Sequence, residues 1–396
     1  MKSSNLYSKY VASILFILSP LLTLPYILYG IYYRRKSAFL LFSLFLGVFA
    51  WLTAPFADLY RHTFWAYEFV DIPVSTIVFD LEPDFLIPLI DHILLNNDIP
   101  YQYLRLFYTT ECFWLMSIIF IYQIKHSKKR YSNNEYFVRF ILFFLFFEVI
   151  QTVSSVRYGF ALYQFIFAIH LFFYKKEYMY SLLFAFFACI IHTSFSFIIP
   201  LSFLLYVISS TKKRLKWVLI TVPIFAVLAF DMFLPLLSYR ADWYFQGGIS
   251  GKSESTLFGL ILYLYMRVFL FPFPYLALKY YLTRLHWCRI CIAFTTLVLV
   301  FINNEVLLFR MAFLLSAVGV FVLLEIESYV KIRNRIITMI LWCGIFTTLC
   351  NTINYRQFFY VSRYHYTLMP VPFILMDHYD IPWIISHIDG NNLKNQ

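Results

Sequence analysis

The chain has 396 residues, 61% of them hydrophobic and only 13% charged, where a soluble domain carries about 25% charged residues. That balance excludes an ordinary soluble enzyme and describes a polytopic membrane protein. The formal charge of +11 would suit a nucleic-acid binder, but the basic residues stand in short clusters between apolar runs, as membrane topology demands, so nucleic acid is not expected as a partner.

In chain order, apolar runs long enough to cross about 30 Å of hydrocarbon predict spans at roughly 11–31, 37–56, 105–124, 137–153, 157–174, 178–208, 216–238, 257–281, 288–302, 306–328 and 335–354. The first has no small-residue cleavage site and is followed by "YRRK", so it is expected to stay in the protein rather than act as a signal peptide. The run 178–208 is too long for one upright span at about 1.5 Å per residue. It is predicted to be a broken pair with its turn at "IIHTSF". The fold class expected is therefore all-α, with about 11–13 transmembrane helices in a single integral membrane domain over 1–396. No internal repeat stands out, which counts against a transporter.

More than half of the 32 basic residues lie in six clusters: 34–36, 125–130, 175–176, 212–216, Lys279/Arg284/Arg289 and 331–335. Positive-inside topology places all six on the cytoplasmic side. The stretch 57–104 then lies outside. It holds Asp58, Glu68, Asp71, Asp80, Glu82, Asp84, Asp91 and Asp98 against a single base, Arg61, and is predicted to form short interfacial helices such as "DFLIPLIDHILL". A second external loop is expected at 239–256, where glycines and serines gather. The tail after 355 carries Arg356, Arg363 and a short apolar run.

Between two lipid-compatible segments stands "QTVSSVRYGF", 151–160. Ser154 and Ser155 are N-cap candidates for the helix that follows. A helix start supplies free N–H groups and partial positive charge, and Arg157 adds a planar cationic fork suited to phosphate oxygens. Gly159 takes a side chain away from the adjacent turn, which would admit a ligand or a helix. Together these read as an anion site. His192, followed by Thr193 and Ser194, repeats the pattern, and Arg310 falls early in a late helix. Arg240, Arg356 and Arg363 also fall outside, while Arg267 sits mid-span, where an arginine is costly and usually faces a cavity. The plainer readings are snorkelling for the arginines, pairing of Arg267 with Glu148 or Glu111, and helix–helix hydrogen bonding for His192.

No metal or other cofactor is expected. Glu82-Pro83-Asp84 is the nearest approach to a DxD, and Asp377 and Asp380 are no closer. Cys288 and Cys291 form a CxxC without the further ligands of a zinc site, so all six cysteines read as packing residues.

Four stretches resemble the EpsG/Wzy group of bacterial polysaccharide polymerases. They are "TAPFADLYRHTFWAYEF" (53–69), "EPDFLIPLIDHILLNNDIPYQYL" (82–104), the segment 155–200 with its Arg-x-Gly helix start and His-x-Ser break, and "FRMAFLLSAVG" (309–319). The third is the most specific. The first departs from the family pattern in lacking a glycine shortly before Asp58, which bears on that residue's role. The resemblance implies a bundle of the GT-C kind and a glycosyltransferase, metal-independent on the reading of the residues above. It would move a growing glycan from undecaprenyl diphosphate to the non-reducing end of a lipid-linked repeat unit at the outer face of the plasma membrane. The pathway's flippase and chain-length regulator are the implied protein partners. On this reading Arg157, Arg310, Arg240 and Arg267 hold the diphosphate, and His192 or Asp58 serves as base or acceptor positioner. An O-antigen ligase-like transferase is the nearest competitor, but ligases carry their large outer loop late, and here it is early. A flippase would be expected to show repeats and polar residues in both halves of the bundle.

Overall fold

The computed structural model describes residues 8–55, 58–68, 70–79, 85–209, 272–280, 285–300, 305–354, 359, 361–389 and 392–393. The loop at 239–256, the span 216–238, most of 257–281, and Arg240, Arg267, Arg356 and the Glu82-Pro83-Asp84 motif lie outside the described residues. The chain divides into two compact units. One comprises Met1–Tyr122, Arg130–Ser196 and Thr347–Gln396; the other comprises Gln123–Lys129 and Phe197–Phe346.

The architecture is helical. Three described helices are long and apolar enough to cross a membrane (Gln102–His126, Asn133–Ser154 with an internal break, and Val156–Lys175), and several shorter apolar helices accompany them. A two-residue antiparallel pair, Ile388–Asp389 with Asn392–Leu393, is the strand pairing found among the described residues.

The first unit begins with α1 (Lys9–Leu18), α2 (Pro20–Tyr32) and α3 (Lys36–Leu52). The single span expected over 11–31 is thus two helices. Ser19 is extended at φ −165° and ψ 106°, and Pro20, which has no N–H to give back to the preceding turn, opens α2. The acidic stretch forms the short helices α4 (Asp58–Glu68), α5 (Val74–Phe79) and α6 (Leu86–Leu95). After α7 (Gln102–His126) come α8 (Asn133–Phe146) and α9 (Val149–Ser154), broken apart where Glu148 takes a left-handed φ of 51°. Ser132 and Glu135 close a capping box at the start of α8. The chain continues through α10 (Val156–His170), a π-helical turn Leu171–Lys175, and α11 (Tyr178–Ile191). The break expected within 178–208 falls at His192–Ser194, before α12 (Phe195–Ile208).

One end of this unit is basic. The Arg34 guanidinium donates to the Tyr131 carbonyl and lies 4.9 Å from the Tyr136 ring centre. Lys175 sits 4.5 Å over the Tyr122 ring, whose hydroxyl donates to the Tyr174 carbonyl at 3.1 Å. The clusters at 34–36 and 175–176 thus share an end with the start of α8, as alternating crossings require. The other end carries α4 and α6, which pack against each other; α4 also touches α9 and α10, and α6 touches α11.

The C-terminal tail folds back against the end of α3. After α16 (Asn334–Asn354) it forms a 3-10 turn, Tyr364–Leu368, then α17 (Val371–Met376) and α18 (Ile381–His387), with α13 (Pro272–Lys279), α14 (His286–Val300) and α15 (Glu305–Glu327) preceding it in sequence. Trp51 Nε1 donates to the carbonyls of Ile374 (3.0 Å) and Asp377 (2.8 Å), and Tyr379 Oη donates to Leu52 O at 2.9 Å. Ala54, Tyr379, Ile384 and Ile388 bury one another beneath Tyr60 and Trp383. Arg363 pairs with Asp377 and stacks 4.5 Å from the Tyr379 ring.

In the second unit, α13, α14 and α15 pack together. The Cys288 N–H donates to the buried Glu325 carboxylate at 3.0 Å. Arg289 lies 3.7 Å over the Tyr206 ring, and Lys129 pairs with Glu327 at 3.4 Å.

Candidate active site

The site is assembled at the second end of the first unit. A single non-helical residue, Ser155 (φ −99°, ψ 66°), separates α9 from α10. It holds the N-cap position, but its side chain makes no cap bond. Ser154 turns its hydroxyl back onto Gln151, to the carbonyl at 3.2 Å and the side-chain oxygen at 3.1 Å. The serines therefore shape the break rather than satisfy the N–H groups of α10. Arg157 stands half-buried in that first turn. A Cβ at Gly159 would meet its nearest neighbour, Thr152 O, at 3.5 Å, an ordinary contact, so close approach does not demand glycine there.

His192 terminates α11, and its Nδ1 accepts the Ser194 N–H at 3.2 Å with Ser194 Oγ at 2.9 Å. Its ring stands edge-on to Tyr158, centroids 5.5 Å apart. Tyr158 follows Arg157 in the chain, so the two sequence-predicted features do converge. Asp58 opens α4, whose packing on α9 and α10 brings that helix to the same place; its side chain lies outside the described part. Arg310 is half-buried near the start of α15 in the second unit.

Two residues of this region escape a motif-based reading. Asp91 is 5% exposed on α6, and burial pushes its carboxyl up to about 8, with the Arg157 guanidinium pulling the other way. Its helix face gave the signal: Asp91 falls four residues after Ile87 and three after Pro88, and all three are buried together. Arg105 is 1% exposed on the first turn of α7, its Nη1 donating to the Thr53 carbonyl at 2.7 Å. It lies just past the acidic stretch and inside an aromatic run, "YQYLRLFY", where it reads as a span-edge residue. Among the described residues no three His, Cys, Asp or Glu side chains converge as a metal site would require.

The family profile of EpsG matches residues 97–368, about two thirds of the chain. The chain belongs to the EpsG family. EpsG proteins are Wzy-like polysaccharide polymerases, so this is a multi-pass membrane protein and a polymerase of the glycosyltransferase type, acting on lipid-linked oligosaccharide repeat units. No curated protein and no solved structure matches the chain. The EpsG match includes Arg105, Arg157, His192 and Arg310, while Asp58 and Asp91 precede it.

Proposed function

We propose that this EpsG protein extends a glycan on undecaprenyl diphosphate by transferring it to the non-reducing end of a newly delivered lipid-linked repeat unit, without a metal, at the outer face of a bacterial plasma membrane. The bundle is then of the GT-C kind, and the acidic helices α4–α6 lie outside. A flippase and a chain-length regulator of the same pathway are the protein partners. The observation that carries the reading is the meeting of Arg157, Asp91 and the Tyr158–His192 contact at the end of the first unit remote from its basic clusters.

The chemistry follows from those groups. The acceptor hydroxyl attacks the anomeric carbon, the bond from that carbon to the diphosphate oxygen breaks, and the leaving diphosphate takes up negative charge. Arg157 and the first-turn N–H groups of α10 meet that charge with donors that need no reorganisation. Asp91 accepts the acceptor proton; a carboxyl at about 8 is well matched to that task near neutral pH. His192 acts as acceptor positioner. Because Nδ1 accepts the Ser194 N–H, the neutral ring carries its proton on Nε2 and offers a donor there. Asp58 sits on the helix that packs beside this cluster and remains a candidate to orient the acceptor. Arg240, Arg267 and Arg310 keep the phosphate-binding role proposed for them from the sequence.

The test is genetic. In the native host, Arg157→Ala at normal protein level should collapse the surface-glycan ladder toward a single repeat unit. A full-length ladder would remove Arg157 from the reaction. A ladder retained on the lipid carrier but missing from the cell-surface anchor would instead indicate a ligase.

A further inference from the structure

Arg105 has a donor set that the fold leaves half used. Nη1 binds the Thr53 carbonyl at 2.7 Å, and the guanidinium lies 5.1 Å from the Tyr101 ring centre. Nε and Nη2 are buried and have no hydrogen-bond partner among the described residues. No carboxylate among the described residues pairs with the group. Those two nitrogens form the parallel-donor edge of a guanidinium, the edge that grips a carboxylate or phosphate through two bonds. A guanidinium cannot escape the cost of burial by losing its proton, so a buried one with an empty fork is incomplete until an anion arrives.

Its surroundings include aromatic hydroxyls. Burial raises the Tyr101 and Tyr379 hydroxyls, and raises Tyr364 to about 12, with the Arg105 charge opposing the rise in each case. Tyr101 also feels Asp91, so that ring lies within electrostatic reach of both Arg105 and the proposed transfer site. The roof is the C-terminal tail. Tyr364 Oη lies 2.9 Å from Thr53 Oγ1, and Ser362 Oγ accepts the Ala54 N–H at 2.8 Å.

We propose that Arg105 is the seat of a second oxyanion, a carboxylate or phosphate carried by a sugar of the repeat unit, gripped through Nε and Nη2 with tyrosine rings flanking the sugar. Assignment of that oxyanion to the glycan rests on the polymerase reading; the oxyanion seat itself does not. In this role Arg105 selects acidic repeat units, while Arg157 meets the leaving diphosphate.

The experiment uses the purified full-length protein in detergent, with glucuronate, glucose and inorganic phosphate as probes and thermal unfolding as the readout. Glucuronate and phosphate should raise the midpoint, and glucose should not. Arg105→Lys keeps the charge but loses the fork, and should weaken the glucuronate response about tenfold or more. Arg157→Gln should leave the glucuronate response in place, which separates this site from the transfer site. An unchanged glucuronate response in Arg105→Lys, or none in the wild type, overturns the proposal. Vesicles of phosphatidylglycerol against phosphatidylcholine identify a lipid source: stabilisation by phosphatidylglycerol that Arg105→Lys abolishes, without a glucuronate effect, would overturn the sugar assignment. Should the variants fail to fold, wild-type amide exchange still decides. Glucuronate should slow exchange at 101–106 and 361–368, and unchanged exchange there refutes the seat.

Discussion

Asp91→Asn is the most informative perturbation of the transfer site. With the carboxyl at about 8, roughly one Asp91 in ten is ionised at pH 7 and about half at pH 8. If the ionised form is the base, bond formation rises about fivefold across that unit and nearly tenfold per unit below it. Replacement by asparagine should remove the limb and lower the rate by about 10²–10⁴. The assay is single-bond formation by purified protein in nanodiscs, with short lipid-diphosphate-linked donor and acceptor, from pH 6 to 9. Arg157 draws the carboxyl down, so Arg157→Gln should move whatever limb survives to higher pH. Stability carries the opposite sign. The folded state holds the Asp91 proton more tightly than the unfolded chain, so stability is full below about 4 and falls as pH rises toward 8 by at most about 1.4 kcal/mol per unit. Asp91→Asn should flatten that slope. A wild-type rate independent of pH across this range, or a limb that survives in Asp91→Asn, refutes the assignment of the base.

The remaining expectations concern the frame around the site. His192→Ala should slow transfer while keeping the Asp91 limb in the pH profile, because the ring donates rather than accepts; disappearance of the limb would make His192 the base. Gly47→Ala should lower the melting temperature sharply, since its Cβ would lie 2.7 Å from the Leu106 backbone oxygen and 2.1 Å from Thr110 Oγ1, at the crossing of α3 and α7 just below Arg105. Gly159→Ala should leave melting and glycan length unchanged or gain up to about 1 kcal/mol of helix propensity. Trp51→Phe strips the donor from the Ile374 and Asp377 carbonyls and should cost about 1–3 kcal/mol, read as a lower melting temperature and faster proteolysis of the C-terminal tail.

What the sequence made legible followed from periodicity and charge. The break at His192–Ser194 follows from a run too long for one span, and the basic end of the first unit follows from the clusters at 34–36 and 175–176. Arg157 and His192 were legible because each stands at an interruption in an apolar run. Three features were not. The break at Ser19 is a backbone event inside an apolar stretch, marked only by Pro20. The cap role expected for Ser154 and Ser155 is not filled: Ser155 holds the N-cap position without a side-chain cap bond, and Ser154 gives its hydroxyl to Gln151. Asp91 was counted among eight acids of a loop, and only packing shows that it is buried; its place on the Ile87–Pro88 face was the available clue. Arg105 depends on the tail, more than 250 residues away in sequence, folding back to place Tyr364 and Tyr379 around it, which no local pattern announces.

The most direct test of the central claim is reconstitution of the purified protein in vesicles with one synthetic undecaprenyl-diphosphate-linked repeat unit as the sole substrate. The account predicts a ladder of products spaced by one repeat unit, with one undecaprenyl diphosphate released per bond formed, and loss of both in Arg157→Ala. Failure of the wild type to extend the repeat unit, or extension undiminished in Arg157→Ala, would contradict it.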